Sequence, residues 1–562
     1  MPTDGTSNFA KRHWLRLCRF CTSLSLLGLF FAGTLFAISL TPSLLPRVYV
    51  VQGLLSGIAM ATGYGIGVFI QWSWGYLELP VPRGRTKQVL CGLAFGGMLI
   101  LANVFLWRAS IWQNSIRELM GMEPVATAYP VRITLIAVLF ATLLLTVARS
   151  IIWCSRQVDR RVRRFVPRRV SYAITTIIVS YLIIVIVNGV LAKTALKAAD
   201  NAFLRIDRVI DEEIPQPESP LASGSSDSLI PWETIGRWGK EFIVAEPNQE
   251  QLSEFSGTQA MEPLRVYVGL RSAETPEERA TLALEELKRV GGFERSVLVV
   301  ATPTGTGWLD PGAVHSLEYI HRGDTAIVSM QYSYLPSWMT ILVDPDRSRR
   351  TATALFDQVY EYWRTLPADQ RPRLYLHGLS LGALGSETCA DLFTLFQDPI
   401  QGALWSGPPF PSKKWSTVST DRNPNSPIWL PTFRDGSMVR FTGQTNALNG
   451  DERQWGPMRF VYIQYASDPM TFFSPDLLFH RPAWLQGERG PDVSPYLDWY
   501  PIVTFLQVAG DLPMATSVPQ GHGHNIAPEN YIDGWIAVTE PKGWSASDTQ
   551  RLKALMTKDR DR

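Results

Sequence analysis

Five runs of apolar residues dominate the first third of this 562-residue chain, near Ser23–Leu45, Val48–Trp72, Val89–Trp107, Ile133–Trp153 and Val170–Leu191. Crossing a bilayer takes roughly 20 helical residues. Inside lipid a segment must satisfy its own backbone hydrogen bonds, so apolar runs of this length are committed to helices. The chain must therefore divide into a membrane part and a remainder. Lys11, Arg12, Arg16 and Arg19 precede the first run, as they would in a removed signal peptide. The four runs that follow argue against removal. The pairs Gly53/Gly57 and Gly92/Gly96 have the spacing that lets helices approach closely in lipid.

Flanking charges orient the runs. The second-to-third loop carries Arg83, Arg85 and Lys87, and the fourth-to-fifth carries Arg149, Arg156, Arg160, Arg161, Arg163, Arg164, Arg168 and Arg169 against a lone Asp159. The other loops are poorer: Arg47 in the first, and Arg108, Arg117 and Arg132 in the third, offset by Glu118 and Glu123. Positive loops stay cytoplasmic. Five crossings from a cytoplasmic N-terminus would leave everything after Leu191 outside, in a multi-pass protein of the cell membrane. The arginine-rich loop also suits anionic head groups, so membrane lipids are expected partners. A net charge of +2 gives no reason to expect nucleic acid.

Beyond Leu191 the composition changes. Leu196, Phe203, Ile206 and Ile210 repeat near helical spacing up to about Glu213, and Pro215–Asp227 is a linker rich in proline and serine. After Pro263, strands and helices alternate. Strands are expected at Arg265–Leu270, Ser296–Thr302, Thr325–Ser333, Arg373–His377, Gly402–Ser406 and Arg459–Ala466, with helices at Pro276–Val290 and Arg347–Leu366. This alternation predicts a mostly parallel sheet with helices on both faces. Pro408–Pro457 interrupts it and reads as a cap or a loop. Cys389 is the one cysteine in this half, which excludes an internal disulfide there.

Within the alternation, Gly378-Leu379-Ser380-Leu381-Gly382 reads G-x-S-x-G. An apolar strand precedes it and a helical stretch, Ala383–Phe396, follows. A serine at such a turn has its hydroxyl lifted clear of the sheet. That hydroxyl is a poor nucleophile until a histidine, held in one tautomer by a carboxylate, takes its proton. The chain order in such folds is serine, acid, histidine. Asp468, just past the strand Arg459–Ala466, is the expected acid, with Asp476 and Asp511 as substitutes. Gly521-His522-Gly523-His524-Asn525 supplies the base. His524 is favoured and His522 stays open. A His-x-His pair also suits metal, but no His, Asp or Glu cluster accompanies it, so no metal is expected. Oxyanion donors are expected from the amides of Leu381 and, in the loop Thr304-Gly305-Thr306-Gly307-Trp308, of Thr306. That loop lacks the Gly-Lys-Ser/Thr ending of a phosphate cradle, and no cofactor is expected.

The five runs, Trp232-Glu233-Thr234-Ile235-Gly236-Arg237, the Thr304–Trp308 loop, His377–Gly382, Ser467-Asp468-Pro469 and Gly521–His524 together resemble a bacterial family of membrane-anchored α/β-hydrolases. The resemblance covers nearly the whole chain. It implies about five transmembrane helices followed by a lipase-like α/β-hydrolase domain with a mostly parallel sheet. The expected divisions are 1–191 transmembrane, 192–262 amphipathic helix and linker, 263–545 catalytic and 546–562 tail. The activity expected is that of a serine esterase or lipase acting on a lipid or acyl-ester substrate near the membrane. Tryptophans including Trp308, Trp338, Trp405, Trp415 and Trp484 offer apolar surface for it, or simply fill the core. The alternative is a membrane scaffold that uses a hydrolase-like domain only to bind. The sequence leaves the oligomeric state open.

Overall fold

The computed structural model describes residues 24–184, 202, 214–391, 398–448 and 454–560. The basic segment before the first run lies outside the described residues, as does the stretch Ala192–Glu213 but for Ala202. The chain forms two compact units. The first comprises Met1–Tyr181 with Pro475–Pro482 and Val493–Asp511. The second comprises Leu182–Ser474, Ala483–Asp492 and Leu512–Arg562.

In the first unit each apolar run gives one helix: α1 (Leu26–Ser39), α2 (Tyr49–Tyr76), α3 (Gly84–Leu119), α4 (Pro130–Val162) and α5 (Arg168–Ile184). Three of these, α2, α3 and α4, are long and apolar enough to cross a membrane, at 28, 36 and 33 residues. These three are counted among the described residues, and the fifth run continues past Ile184, outside them. The first run gives a shorter helix because Pro42 lies inside it and Pro46 just beyond it. Proline cannot continue a helix, and α1 stops at Ser39 after 14 residues. The fifth helix has 17 described residues. Leu93, Trp107, Val131 and Leu139 stand exposed on the long helices, an apolar surface that in a soluble protein would have to be covered. Inside, Phe36, Leu40, Trp112, Ile133 and Ala137 form a core that draws on α1, α3 and α4.

The segment Val493–Asp511 completes this unit. Arg47 Nε donates to Asp511 Oδ1 at 2.8 Å, with both side chains wholly buried. Arg47 Nη2 donates to the Gln507 carbonyl at 2.9 Å, and Gln507 Nε2 donates to the Thr41 carbonyl at 2.9 Å. The Ser115 and Ser494 hydroxyls meet at 2.7 Å.

The second unit is built on seven short strands: β1 (Leu264–Val268), β2 (Val297–Thr302), β3 (Thr325–Met330), β4 (Arg373–Leu379), β5 (Gly402–Ser406), β6 (Val439–Thr442) and β7 (Arg459–Ile463). All pair in parallel, in the order β1-β3-β2-β4-β5-β7-β6. The strands are buried on both faces, which explains why they read as apolar runs and not as alternating ones. Six stand where the sequence put them. The seventh, β6, lies within Pro408–Pro457, the stretch expected to be a cap or loop, and pairs with β7 at the sheet edge.

Helices α6 (Pro276–Arg289), α7 (Pro311–Ile320), α8 (Asp346–Thr365), α9 (Leu381–Cys389), α10 (Pro528–Thr539) and α11 (Ala546–Arg560) cover the sheet. The start of α6 is fixed locally: Thr275 Oγ1 accepts from the Glu278 amide, Glu278 Oε2 accepts from the Thr275 amide, and Pro276 opens the first turn. The two helix layers show in consecutive residues of β5. The Trp405 indole donates to Ser386 of α9 at 2.9 Å. Its neighbour Leu404 packs on Gly534 of α10, where a Cβ would meet Leu404 Cδ1 at 2.7 Å. Side chains alternate across a strand, so the layers lie on opposite faces.

Candidate active site

In a parallel sheet the carboxyl ends of all strands lie along one edge, and the loops leaving that edge converge. Here β4 is central, with β2 on one side and β5 then β7 on the other. Ser380 follows β4, the Thr304–Trp308 loop follows β2, Gly407 follows β5, and Asp468 follows β7. Strand order alone therefore gathers residues that are up to 164 positions apart.

Ser380 has φ +59° and ψ −127°, a conformation that a residue with a side chain adopts only under constraint. Two contacts impose it. The Ser380 amide donates to the Ser406 carbonyl at 2.9 Å. The flanking glycines are pressed on backbone: a Cβ on Gly378 would lie 2.4 Å from Gly382, and one on Gly382 would lie 2.2 Å from the Thr302 carbonyl oxygen. The turn closes only because neither has a side chain. Among the described residues, Ser380 Oγ is buried with no hydrogen-bond partner.

His524 lies on the loop between the Leu512–Met514 turn and α10, its amide donating to the Ala515 carbonyl at 2.7 Å. Its Nδ1 is 2.7 Å from Asp468 Oδ2. A carboxylate only accepts, so Nδ1 carries the proton and Nε2 presents a lone pair. Asp468 is itself held, accepting from the Met470 amide at 2.8 Å and the Thr471 hydroxyl at 3.1 Å. Gly407 lies under the imidazole, where a Cβ would come within 2.5 Å of the ring. His524 Nε2, like Ser380 Oγ, is buried and has no hydrogen-bond partner among the described residues.

His522 faces a different aspartate. Its Nδ1 is 3.2 Å from Asp492 Oδ2. The same oxygen accepts from the Ser467 hydroxyl at 2.6 Å and from Gln444 Nε2 at 2.7 Å. Ser467 Oγ in turn accepts from the Gly523 amide at 2.8 Å. One hydroxyl thus ties the backbone between the two histidines to the Asp492 carboxylate. His377 is packed in the core, with Nδ1 2.8 Å from the Leu404 carbonyl, and burial pulls its pKa down to about 4.

Ser380 and His524 line one cavity of about 350 Å³, in the range of ordinary small-molecule sites. Its walls include Thr304, Thr306, Met470, Leu512 and Ile526, with Trp238, Trp308 and Trp338. The amides of Leu381 and Thr306 have no hydrogen-bond partner among the described residues, whereas those of Thr304, Gly305 and Gly307 are bonded within the fold. His522 is not among the lining residues. Trp405, Trp415 and Trp484 are buried elsewhere, in the core.

Three residues of this region were not foreseen. Asp310 lines the cavity, caps α7 through the Gly312 amide at 2.9 Å and accepts from the Tyr531 hydroxyl at 3.1 Å. Burial pushes its carboxyl up to about 6. In sequence it shows only as an aspartate before proline, a helix-start signal. Trp238 directly follows the Trp232–Arg237 segment but carries no chemical signal of its own, and Asp492 lies in a stretch with no motif.

Residues 264–552, more than half of the chain, match a family described as the alpha/beta-hydrolase family, and residues 40–247 match that family's N-terminus. No curated protein matches the chain. A solved structure described under LipS and LipT, two metagenome-derived lipolytic enzymes, is 13% identical. The match covers 48% of this chain and 96% of that one with a TM-score of 0.15, too low to carry an argument.

Proposed function

Because the chain belongs to the alpha/beta-hydrolase family, we propose that it is a membrane-anchored serine hydrolase cleaving an acyl ester, with Ser380 as nucleophile, His524 as base and Asp468 as acid. The observation that carries this reading is the presence of two unsatisfied atoms at one cavity. The Ser380 hydroxyl and the lone pair of a histidine fixed by Asp468 line one apolar cavity. In this scheme Ser380 Oγ attacks the substrate carbonyl carbon and its proton passes to His524 Nε2. Asp468 stabilises the imidazolium. The amides of Leu381 and Thr306 receive the oxyanion, which removal of one donor would weaken by roughly 10²–10³-fold in rate. His524 then returns the proton to the departing alkoxide. A water activated the same way releases the acid and restores Ser380. The tryptophan-walled cavity favours an acyl group over a charged one.

Fluorophosphonate labelling of the full-length protein tests the reading. The wild-type chain should label once, and Ser380→Ala should not label while keeping its unfolding midpoint. Labelling that persists in Ser380→Ala sinks the assignment. An unlabelled wild-type chain favours a binding domain without turnover.

The side of the membrane depends on the arginine-rich stretch Arg156–Arg169, which the positive-inside rule keeps cytoplasmic. We infer that the apolar run beyond it crosses, leaving the hydrolase unit outside the cell membrane. A reporter fused after Arg562 should be active only in the exported compartment. Activity in the cytoplasm overturns that placement.

A further inference from the structure

Helices α2 and α4, both long and apolar enough to cross a membrane, pack side by side. At the contact, Gly53 of α2 is pressed on Ile136 and Gly57 on Phe140 and the Ala137 carbonyl, so that a Cβ on either would fall within 3 Å of α4. Further along α2, Gly63 and Gly67 are pressed in the same way on the α1 backbone at Phe31 and Leu27. Toward the C-terminal ends of α2 and α4 this closeness is gone. Gly65 and Gly75 have nothing within 4 Å of where a Cβ would be. Glycine is among the costlier residues for a helix interior. Here two of them face a void, where close packing does not account for them.

The void is a wedge of about 1220 Å³, larger than the roughly 300–1,000 Å³ of ordinary small-molecule sites. Its walls are mainly apolar. Its polar groups include Ser25, Thr62, Tyr64, Gln71, Tyr76, Arg149 and Arg156, and no carboxylate lines it among the described residues. Arg149 and Arg156 are seven residues apart on α4, two helical turns, and so share one face. Arg149 Nη2 lies 3.5 Å from the Tyr64 hydroxyl, which directs that guanidinium to the cavity wall. Cationic side chains within membrane-spanning helices are costly and face partners or cavities. A cavity between such helices with two guanidinium groups and long apolar walls matches one class of molecule: an anion carrying hydrocarbon chains.

We propose that this wedge binds an anionic phospholipid, its phosphate held by Arg149 and Arg156 and its acyl chains lying along the apolar walls of α2 and α4. This does not rest on the hydrolase assignment, since every residue invoked belongs to the first unit. The arginines supply the head-group preference, and Gly65 and Gly75 leave the space the chains need.

The test uses the full-length chain in nanodiscs, with lipid retention read by native mass spectrometry. The wild-type chain should retain phosphatidylglycerol over phosphatidylcholine by at least about tenfold, the scale set by two basic side chains at a membrane surface. Arg149→Gln/Arg156→Gln should bring the ratio close to one, and Arg149→Lys/Arg156→Lys should restore much of it. Gly65→Leu should fill the wedge and lower retention of both lipids while leaving the unfolding midpoint unchanged or raised. A ratio unchanged in the Gln pair overturns the proposal. So does inorganic phosphate that displaces the lipid at equal concentration, since the site would then read the phosphate alone. If Gly65→Leu fails to fold, the Gln and Lys pairs still decide the matter.

Discussion

His524 and His522 are separated by one glycine in the chain and are paired with different aspartates in space. If Asp468 and His524 form the working pair, His522 holds the loop through Asp492 and touches no reacting atom. His524→Ala should then cost several orders of magnitude in ester turnover. His522→Ala should retain measurable activity, and rate measurements on the two purified variants decide between them. A second prediction concerns Asp310. Its carboxyl titrates near 6 when folded and near 3.9 when unfolded, so the fold binds that proton more tightly. The stability it contributes is full below about pH 4 and is lost as pH rises through about 6, an effect on the order of 3 kcal/mol at most. Asp310→Asn keeps a capping oxygen and cannot ionise. Between pH 4 and 7 the variant should therefore gain stability relative to the wild-type chain, and denaturation midpoints at the two values measure this. At this scale the sequence grouped Ser380, Asp468 and the histidine loop, because motif, chain order and strand ends are visible in it. It favoured His524 but left His522 open, because the aspartate that His522 faces, Asp492, is a residue without a motif. Asp310 and Trp238 join the cavity only through folding.

The elbow shows what an element must provide before a residue can act. Gly382 sits against the Thr302 and Pro303 carbonyl oxygens, at 2.2 Å and 2.7 Å from a would-be Cβ. These are backbone atoms of β2 and the loop after it, which cannot step aside. Gly382→Ala should destabilise the fold by about 1–3 kcal/mol and slow fluorophosphonate labelling, as the turn is forced open. An unaltered denaturation midpoint with unaltered labelling would show that the strand and loop yield. The strands were legible in sequence because a buried parallel strand is a short apolar run. Strand β6 was not. It has four residues, pairs on one side only, and sits among prolines, serines and asparagines that signal loop. The first apolar run is longer than its helix, which stops at Ser39 ahead of Pro42.

In the whole molecule, the first unit is discontinuous. Its helices are made first, and Val493–Asp511 returns to them from within the hydrolase half of the chain. No feature of the sequence marks that return, because Arg47 and Asp511 are ordinary charges until folding buries them together. Arg47→Ala should leave Asp511 buried without its partner and cost about 3–5 kcal/mol in thermal unfolding of the full-length chain. Exchanging both for apolar residues should cost far less. The pair also imposes an order in time. The partners are 464 residues apart, and at 5–20 residues per second translation needs roughly 20–90 s to reach the second after the first. Throughout that interval the guanidinium of Arg47 has no native counter-charge. The helices on either side of it thus remain an unfinished assembly, and synthesis of nearly all of the hydrolase sequence must precede their final locking.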